Sequence, residues 1–156
     1  MSVQTAQAAA ATLAVLDTNV VLDWLVFRDA RVQPLVAALQ GGALRPIACA
    51  RTRTELAHML AHRSLARWAP DPGAALGQFD RLVLMLAGPP PAPGPAGLRC
   101  GDTDDQVFVD LALAHRARWL FTQDRALLEL ARRAMPHGLV ILTPQRWVGA
   151  PERAAP

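Results

Sequence analysis

The chain has 156 residues, of which 52% are hydrophobic and 19% are charged. This length and composition allow one well-packed core and exclude two comfortable domains. All 16 basic residues are arginine, and the formal net charge of +3 permits a nucleic-acid partner without requiring one. The two cysteines, Cys49 and Cys100, form no CxxC pair, so neither a zinc site nor a disulfide framework is expected.

The N-terminal residues predict a flexible leader rather than a signal peptide or a membrane span. Residues 1–12 are rich in alanine and lack a positively charged start, and Asp17 interrupts the apolar stretch that follows. We therefore expect a cytoplasmic protein with no membrane contact. Residues 13–148 are predicted to form a single domain, and residues 149–156 a loose tail.

Short apolar runs alternate with helical patterns along the chain. Strands are predicted at residues 13–16, 45–49, 119–122 and 139–142. Helices are predicted at residues 20–27, 32–40, 52–62, 71–86, 103–115 and 125–133. Residues 88–97, rich in proline and glycine, predict a surface loop within the domain. The alternation predicts a three-layer α/β/α domain with a mostly parallel central sheet.

Acidic residues stand near the points where strands give way to helices. Asp17 and Asp124 follow apolar strands, and Glu55 and Asp105 lie near predicted helix starts. Because the carboxyl ends of the strands converge on one edge of such a sheet, these acids could meet in space. Clustered carboxylates suit one or two Mg²⁺ or Mn²⁺ ions, which can activate water and stabilise the leaving oxygen in phosphodiester hydrolysis.

Polar and basic residues flank these acids. Short side chains at Thr18, Asn19 and Thr122 could donate hydrogen bonds that orient the carboxylates. Guanidinium groups that could hold the scissile or neighbouring phosphates are those of Arg51, Arg53 and Arg125. Mutual repulsion between the acids predicts raised pKa values until a metal binds. Other acids, predicted on solvated helix faces or in local bonds, are Asp23, Asp80 and Asp110.

Each candidate residue, taken singly, is more simply interpreted as a helix cap. Asn19 and Asp124 are placed to cap the helices that follow them, and close acids at a helix start can offset its dipole. Two further pairs have capping-box spacing, Thr52 with Glu55 and Thr103 with Gln106. The recurrence of acids at strand ends favours the metal site over several coincident caps.

Four motifs, in this order and spacing, resemble the PIN-domain family, specifically the bacterial VapC-like toxins of toxin–antitoxin systems. They lie within residues 13–143 and are Val15-Leu-Asp-Thr-Asn-Val20, Thr54-Glu-Leu56, Gly101-Asp-Thr-Asp-Asp-Gln-Val-Phe-Val-Asp-Leu-Ala-Leu-Ala114 and Phe121-Thr-Gln-Asp-Arg-Ala-Leu127. By this resemblance Asp17, Glu55, Asp105 and Asp124 occupy the family's acidic positions. The third motif also offers Asp104 as the reserve choice and Asp102 as an accessory ligand.

The resemblance implies a Mg²⁺- or Mn²⁺-dependent endoribonuclease that is neutralised by a cognate antitoxin and is often dimeric. The helical stripes at residues 20–27 and 32–40 could supply a dimer face, or could simply pack on the sheet. The alternatives are a structure-specific DNA nuclease and a non-catalytic PIN-like module that binds RNA or protein. An acidic-pocket phosphotransfer protein is disfavoured because the chain has no lysine.

Overall fold

A computed structural model of the chain describes residues 11–88 and 98–147. The strands are β1 (Thr12–Leu16), β2 (Leu44–Ala48), β3 (Leu84–Met85), β4 (Trp119–Phe121) and β5 (Val140–Leu142). The helices are α1 (Thr18–Leu25), α2 (Gln33–Gln40), α3 (Ala50–Leu60), α4 (Pro72–Leu82), α5 (Gln106–Ala114), α6 (Arg125–Leu128) and α7 (Ala131–Ala134). Short 3₁₀ turns lie at Ala30–Val32, Arg63–Trp68, Met135–His137 and Pro144–Arg146.

The five strands form one sheet in the order β3-β2-β1-β4-β5, and every pairing is parallel. The central strand, β1, pairs with β2 on one side and with β4 on the other. The chain therefore builds one half of the sheet, returns to β1, and then builds the other half. All the carboxyl ends of the strands face the same edge because the strands are parallel.

Both faces of the sheet are covered, as the alternating side chains of β1 show. Ala14 and Leu16 pack into a core with α1 to α4, whereas Leu13 and Val15 contact a second core formed with α5 to α7. The structure thus confirms the predicted three-layer α/β/α architecture with a mostly parallel sheet.

The predicted helix at residues 71–86 was too long. It ends at Leu82, and Leu84–Met85 forms the edge strand β3, with Ile47 opposite Leu84. Phe79, Leu82, Val83 and Leu86 have helical spacing, which explains the error. Pairing with β2 outweighs that local pattern, and Val83 already has an extended backbone with ψ of 141°.

Both predicted capping boxes were wrong. Helix α3 begins at Ala50, two residues early, so Thr52 exchanges hydrogen bonds with Cys49 and Glu55 lies in the second turn. Helix α5 begins at Gln106, whose side chain donates to the Leu98 carbonyl and accepts from the Cys100 backbone N–H. Loop closure, not helix capping, is the role of this glutamine.

Three smaller points concern the helices. Asn19 does not cap the first helix, because it lies inside α1 and its backbone N–H donates to the N-cap Asp17. The predicted helix at residues 125–133 is divided into α6 and α7. The apolar stripes of α1 and α2 pack largely into the chain's own core, which is the alternative to a dimer face, and the dimer itself stays a prediction.

The predicted domain limits fall partly outside the described residues. Thr12, assigned to the leader, is the first residue of β1. The leader at residues 1–10, the loop at residues 89–97 and the tail at residues 149–156 lie outside the described part of the chain. Within residues 11–88 and 98–147, no helix has the length and apolar character needed to span a membrane.

Candidate metal centre

The candidate site lies where the strand order reverses, at the carboxyl ends of β1 and β4. The Asp17 backbone N–H donates to the Phe121 carbonyl over 3.0 Å, which joins the two strand ends. Open parallel sheets bind ligands at such a switch point because the loops diverge there to opposite faces. Asp17 and Thr122 both emerge at this crevice, where Thr122 was predicted as a polar group beside the acids.

Thr122 connects two of the candidate acids. Its hydroxyl donates to Asp17 Oδ2 over 2.6 Å and accepts the Asp124 backbone N–H over 2.9 Å. Its own backbone N–H donates to the Leu142 carbonyl, which ties the residue to β5. Thr122 is fully buried, so this hydroxyl fixes the loop that carries Asp124 relative to Asp17.

Asp17 is a buried carboxylate with both oxygens hydrogen-bonded. Oδ2 accepts from Thr122, and Oδ1 accepts the Asn19 backbone N–H over 3.1 Å as the N-cap of α1. Burial raises the pKa of Asp17, and the hydrogen bonds from Thr122 and Asn19 oppose that increase. The nearby Asp124 charge adds to it. Asp17 is therefore held in a fixed orientation but is costly to ionise.

Three further carboxylates approach one another beside Asp17. Asp102, Asp105 and Asp124 each offer an oxygen, and these atoms lie within 4.8 Å of one another. The pKa of Asp105 is raised to about 7, first by burial and then by Asp124, with smaller effects from Asp17 and Asp102. Because burial and the neighbouring negative charges disfavour ionisation, the metal-free cluster binds a proton more tightly than an isolated aspartate does.

Glu55 reaches this region through its partner Thr18. The Thr18 hydroxyl donates to Glu55 Oε2 over 3.1 Å, and Thr18 directly follows Asp17. Helix α3, which follows β2, thereby places a half-buried carboxylate beside the end of β1. Among the described residues, the group of three carboxylates does not include Glu55, whose link to the site is this bond to Thr18.

Within residues 11–88 and 98–147, no basic side chain forms an ion pair with these acids. The ion pairs among the described residues join Arg31 to Asp29, Arg53 to Asp80 and Arg125 to Glu129. Carboxylates that converge without a counter-cation meet the requirement of a hard divalent ion, which prefers oxygen ligands. The residues present therefore suit Mg²⁺ or Mn²⁺.

The three arginines predicted to hold RNA phosphates have different surroundings. Arg51 is exposed on α3. Arg53 makes a bidentate contact with Asp80 of α4, at 2.8 and 2.7 Å, so its guanidinium is already engaged and Asp80 is not merely solvated. Arg125 follows Asp124 and contacts Glu129 at 3.4 Å, with both side chains largely exposed.

In the third motif, the aspartates that converge differ in part from those predicted from the sequence. Asp105 joins the carboxylate group, whereas Asp104 does not, and the role of Asp105 as a metal ligand stays a prediction. The exposed Asp102, predicted only as an accessory ligand, joins it as well. The Asp104 backbone N–H donates to Asp102 Oδ1 over 2.9 Å, and this tight turn brings Asp102 back toward Asp105. The spacing of residues in the sequence does not predict that turn.

A protein-family model described as a PIN domain matches residues 13–126. The chain belongs to the PIN-domain family. Among solved structures, this PIN domain is similar to a chain in the crystal structure of VapBC2 from Rickettsia felis bound to a DNA fragment from their promoter. The TM-score is 0.55 at 12% identity, over 83% of this chain and 96% of the other. No match was found among curated proteins. At this identity, the structural likeness supports the fold alone.

Proposed function

We propose that the protein is a divalent-metal-dependent endoribonuclease and the toxin component of a toxin–antitoxin pair. The observation that carries the proposal is the group of unneutralised carboxylates Asp102, Asp105 and Asp124 beside the buried Asp17. Membership of the PIN-domain family supports a nuclease. The similarity in fold to a chain of VapBC2 from Rickettsia felis, crystallised with a DNA fragment from their promoter, supports the toxin assignment.

The site residues would hold the metal and keep its ligands in place. Asp17, Asp105 and Asp124 are the proposed ligands, with Asp102 completing the oxygen set and Glu55 orienting the attacking water. A bound Mg²⁺ or Mn²⁺ would lower the pKa of that water and offset charge on the phosphate. Hydrolysis forms a bond from the water oxygen to phosphorus and breaks the opposite phosphorus–oxygen bond.

The threonines have a positioning role in this scheme. Thr122 fixes Asp17 and the Asp124 loop through one buried hydroxyl, and Thr18 holds Glu55. Such hydrogen bonds orient carboxylates that would otherwise rotate and repel one another. Water activation then needs no serine, cysteine or histidine nucleophile.

Partners and location follow from the same proposal. The substrate is RNA, the regulatory partner is an antitoxin protein, and the working form is a cytoplasmic homodimer. The apolar stripes of α1 and α2 pack largely into the core, so we propose that the dimer interface lies mainly on other surfaces. A DNA substrate is the competing outcome, so the first assay includes both nucleic acids.

The test is cleavage of a mixed RNA pool with Mn²⁺, Mg²⁺ or chelator, beside single-stranded DNA. Asp124→Asn is the informative variant, because asparagine caps a helix as well as aspartate does and the hydrogen bond to Ala126 N is retained. Asp71→Asn is the matched control, since Asp71 caps α4 by accepting from Ala74 N. We expect metal-dependent RNA cleavage by wild type and Asp71→Asn, and a loss of at least about 100-fold in Asp124→Asn.

Other outcomes would reject the proposal. Cleavage of DNA but not RNA would assign the site to a different nuclease class. RNA binding without cleavage under every metal, in folded protein, would assign the chain to the non-catalytic PIN-like modules. Equal losses of RNA cleavage in Asp124→Asn and Asp71→Asn would show that the effect comes from helix capping rather than from the metal site.

A further inference from the structure

One exposed face of the segment after Asp124 is rich in arginine. Arg125, Arg132 and Arg133 are exposed at helical spacing along α6 and α7, with Glu129 between them. The opposite side of the same segment packs into the core through Leu127, Leu130 and Ala134. The arginine-bearing side is therefore fixed toward solvent by the burial of its apolar counterpart.

This face leads from the carboxylate site to the opposite edge of the sheet. Helix α6 begins directly after Asp124, whereas the turn after α7 meets the start of β4. The Arg118 Nη1 group donates to the Gly138 carbonyl over 3.4 Å, and the Val140 N–H donates to the Arg118 carbonyl over 2.8 Å. Arg116 is exposed just before it. We call Arg116, Arg118, Arg125, Arg132 and Arg133 the arginine face.

The charge of this face is almost uncompensated. Among the described residues, the sole ion pair that reaches it is Arg125 with Glu129, at 3.4 Å and with side chains 93% and 66% exposed. An ion pair so exposed contributes little and leaves the guanidinium free to exchange partners. Repeated arginines that do not pair with acids of the same chain are available to an anionic ligand.

The composition of the face favours nucleic acid over protein. In α7 and the turn that follows it, all within the described part of the chain, the one exposed large apolar side chain is Met135, at 66%. Protein interfaces need a dehydrated apolar or aromatic centre, which this surface does not provide. A chain of phosphates, in contrast, is matched by guanidinium groups spaced along an extended surface.

We infer that the arginine face binds the phosphate backbone of substrate RNA on one side of the cleaved bond. The inference rests on the proposed function, because it extends that site. Arg118 and Thr122 are separated by four residues of β4 and its end, about 13 Å at the usual rise of a strand. The RNA must therefore continue several nucleotides beyond the metal site. Arg132 and Arg133 lie beyond residue 126, outside the part matched by the family model.

The test measures RNA binding in chelator, where no metal-dependent cleavage occurs. Fluorescent oligouridines of about 6 and about 30 nucleotides are the probes, because backbone contacts do not depend on sequence. The variant is Arg132→Gln with Arg133→Gln, as glutamine retains helix propensity. Arg63→Gln with Arg81→Gln is the matched control, since it removes the same charge from two other exposed arginines.

We expect the Arg132/Arg133 variant to bind the long oligouridine about tenfold more weakly. For this variant, the slope of log K against log salt concentration should become shallower by about 1.4, the value for two lost single-strand phosphate contacts. Affinity for the short oligouridine, which places fewer phosphates along the face, should fall by a smaller factor. The Arg63/Arg81 variant should resemble wild type.

Three results would overturn the inference. The first is an equal loss in the control pair, which would show a general charge effect. The second is an equal loss of affinity for the short and the long oligouridine. The third is a reduced affinity of the Arg132/Arg133 variant for polyglutamate with unchanged RNA affinity, which would assign the face to binding an acidic protein segment. Since none of these arms requires cleavage, failure of the proposed nuclease activity would be seen separately.

Discussion

At the residue scale, the site depends on the single hydroxyl of Thr122. Removing it in Thr122→Val leaves Asp17 Oδ2 buried without its 2.6 Å donor and frees the Asp124 loop. We expect a loss of about 1–3 kcal/mol in the free energy of unfolding, because a buried polar group loses its partner. Metal affinity should fall about 10–100-fold, as for other residues that orient ligands.

Thr122→Ser is the control for that substitution. Serine keeps the hydroxyl and removes the methyl group, so metal affinity should return close to the wild-type value. Urea unfolding and calorimetric titration with Mn²⁺ measure the two effects. If serine and valine weaken metal binding equally, packing of the threonine methyl group rather than the hydroxyl bridge positions the acids.

Two neighbouring aspartates should differ in their effect on metal binding. Asp102 belongs to the carboxylate group, whereas Asp104 contributes its backbone N–H to Asp102. We expect Asp102→Asn to weaken Mn²⁺ binding by about tenfold, since one charged oxygen ligand is lost. Asp104→Asn keeps the backbone donor and should have a small effect. The reverse order in calorimetric titrations would restore Asp104, the reserve choice, as the ligand.

Sequence and structure agree best on residues whose position follows from a strand end. Asp17 follows one predicted apolar strand and Thr122 ends another, and both strands must lie in the sheet, so their convergence could be predicted. Asp102 could not be placed in this way, because its approach to Asp105 depends on a loop turn and not on periodicity. The partner of Arg53 was missed for a related reason: Asp80 is 27 residues away, on another helix.

At the element scale, strand prediction was limited by local patterns that fit two structures. The apolar runs before Asp17 and Asp124 are short, bounded and rich in residues that suit a buried strand. Residues 79–86 have helical spacing but end in strand β3, since the β2 edge offers unpaired backbone groups. Helix starts were misplaced where Thr52 and Gln106 had partners that spacing did not reveal.

The Arg53–Asp80 contact joins α3 to α4 and offers a test at this scale. Both side chains are substantially exposed, at 36% and 43%, so the pair should contribute only about 0.2–1 kcal/mol to stability. We expect Arg53→Gln and Asp80→Asn to lower the free energy of unfolding by similar small amounts, with coupling in the double variant. RNA cleavage should be unchanged in both.

The phosphate-binding role predicted for Arg53 from the sequence would give a different result. If this guanidinium holds a phosphate, Arg53→Gln reduces cleavage while Asp80→Asn leaves it equal or higher, because the arginine is released. Parallel cleavage and urea-unfolding measurements on the two variants therefore distinguish a bridge between helices from a substrate contact.

At the scale of the whole molecule, negative and positive side chains lie toward opposite ends of the strands. Carboxylates gather at the carboxyl ends, and part of the arginine face lies at the opposite edge. The acidic edge is a cost in the metal-free protein, because like charges are held together without a counter-cation. Folding is thus coupled both to protons and to any cation that occupies the site.

This coupling predicts that the metal-free protein loses stability as pH rises from about 4 to about 7. The Asp105 pKa is raised from 3.8 to about 7, first by burial and then by Asp124, so across this interval the folded chain keeps a proton that the unfolded chain has released. The free energy of unfolding must therefore decrease with increasing pH. The raised pKa of Asp17 acts in the same direction. Asp105→Asn should flatten the dependence measured by urea unfolding in chelator.

A divalent cation should reverse this loss above pH 7. Mn²⁺ competes with the proton on Asp105, so it should stabilise wild type strongly near pH 8 and only weakly near pH 5. At a concentration 100 times its dissociation constant, a ligand specific for the folded state adds about 2.7 kcal/mol. Asp105→Asn lacks both the repulsion and the ligand, so it should be more stable than wild type in chelator at pH 8 but gain less from Mn²⁺. Equal gains in both proteins at both pH values would place Mn²⁺ binding away from Asp105.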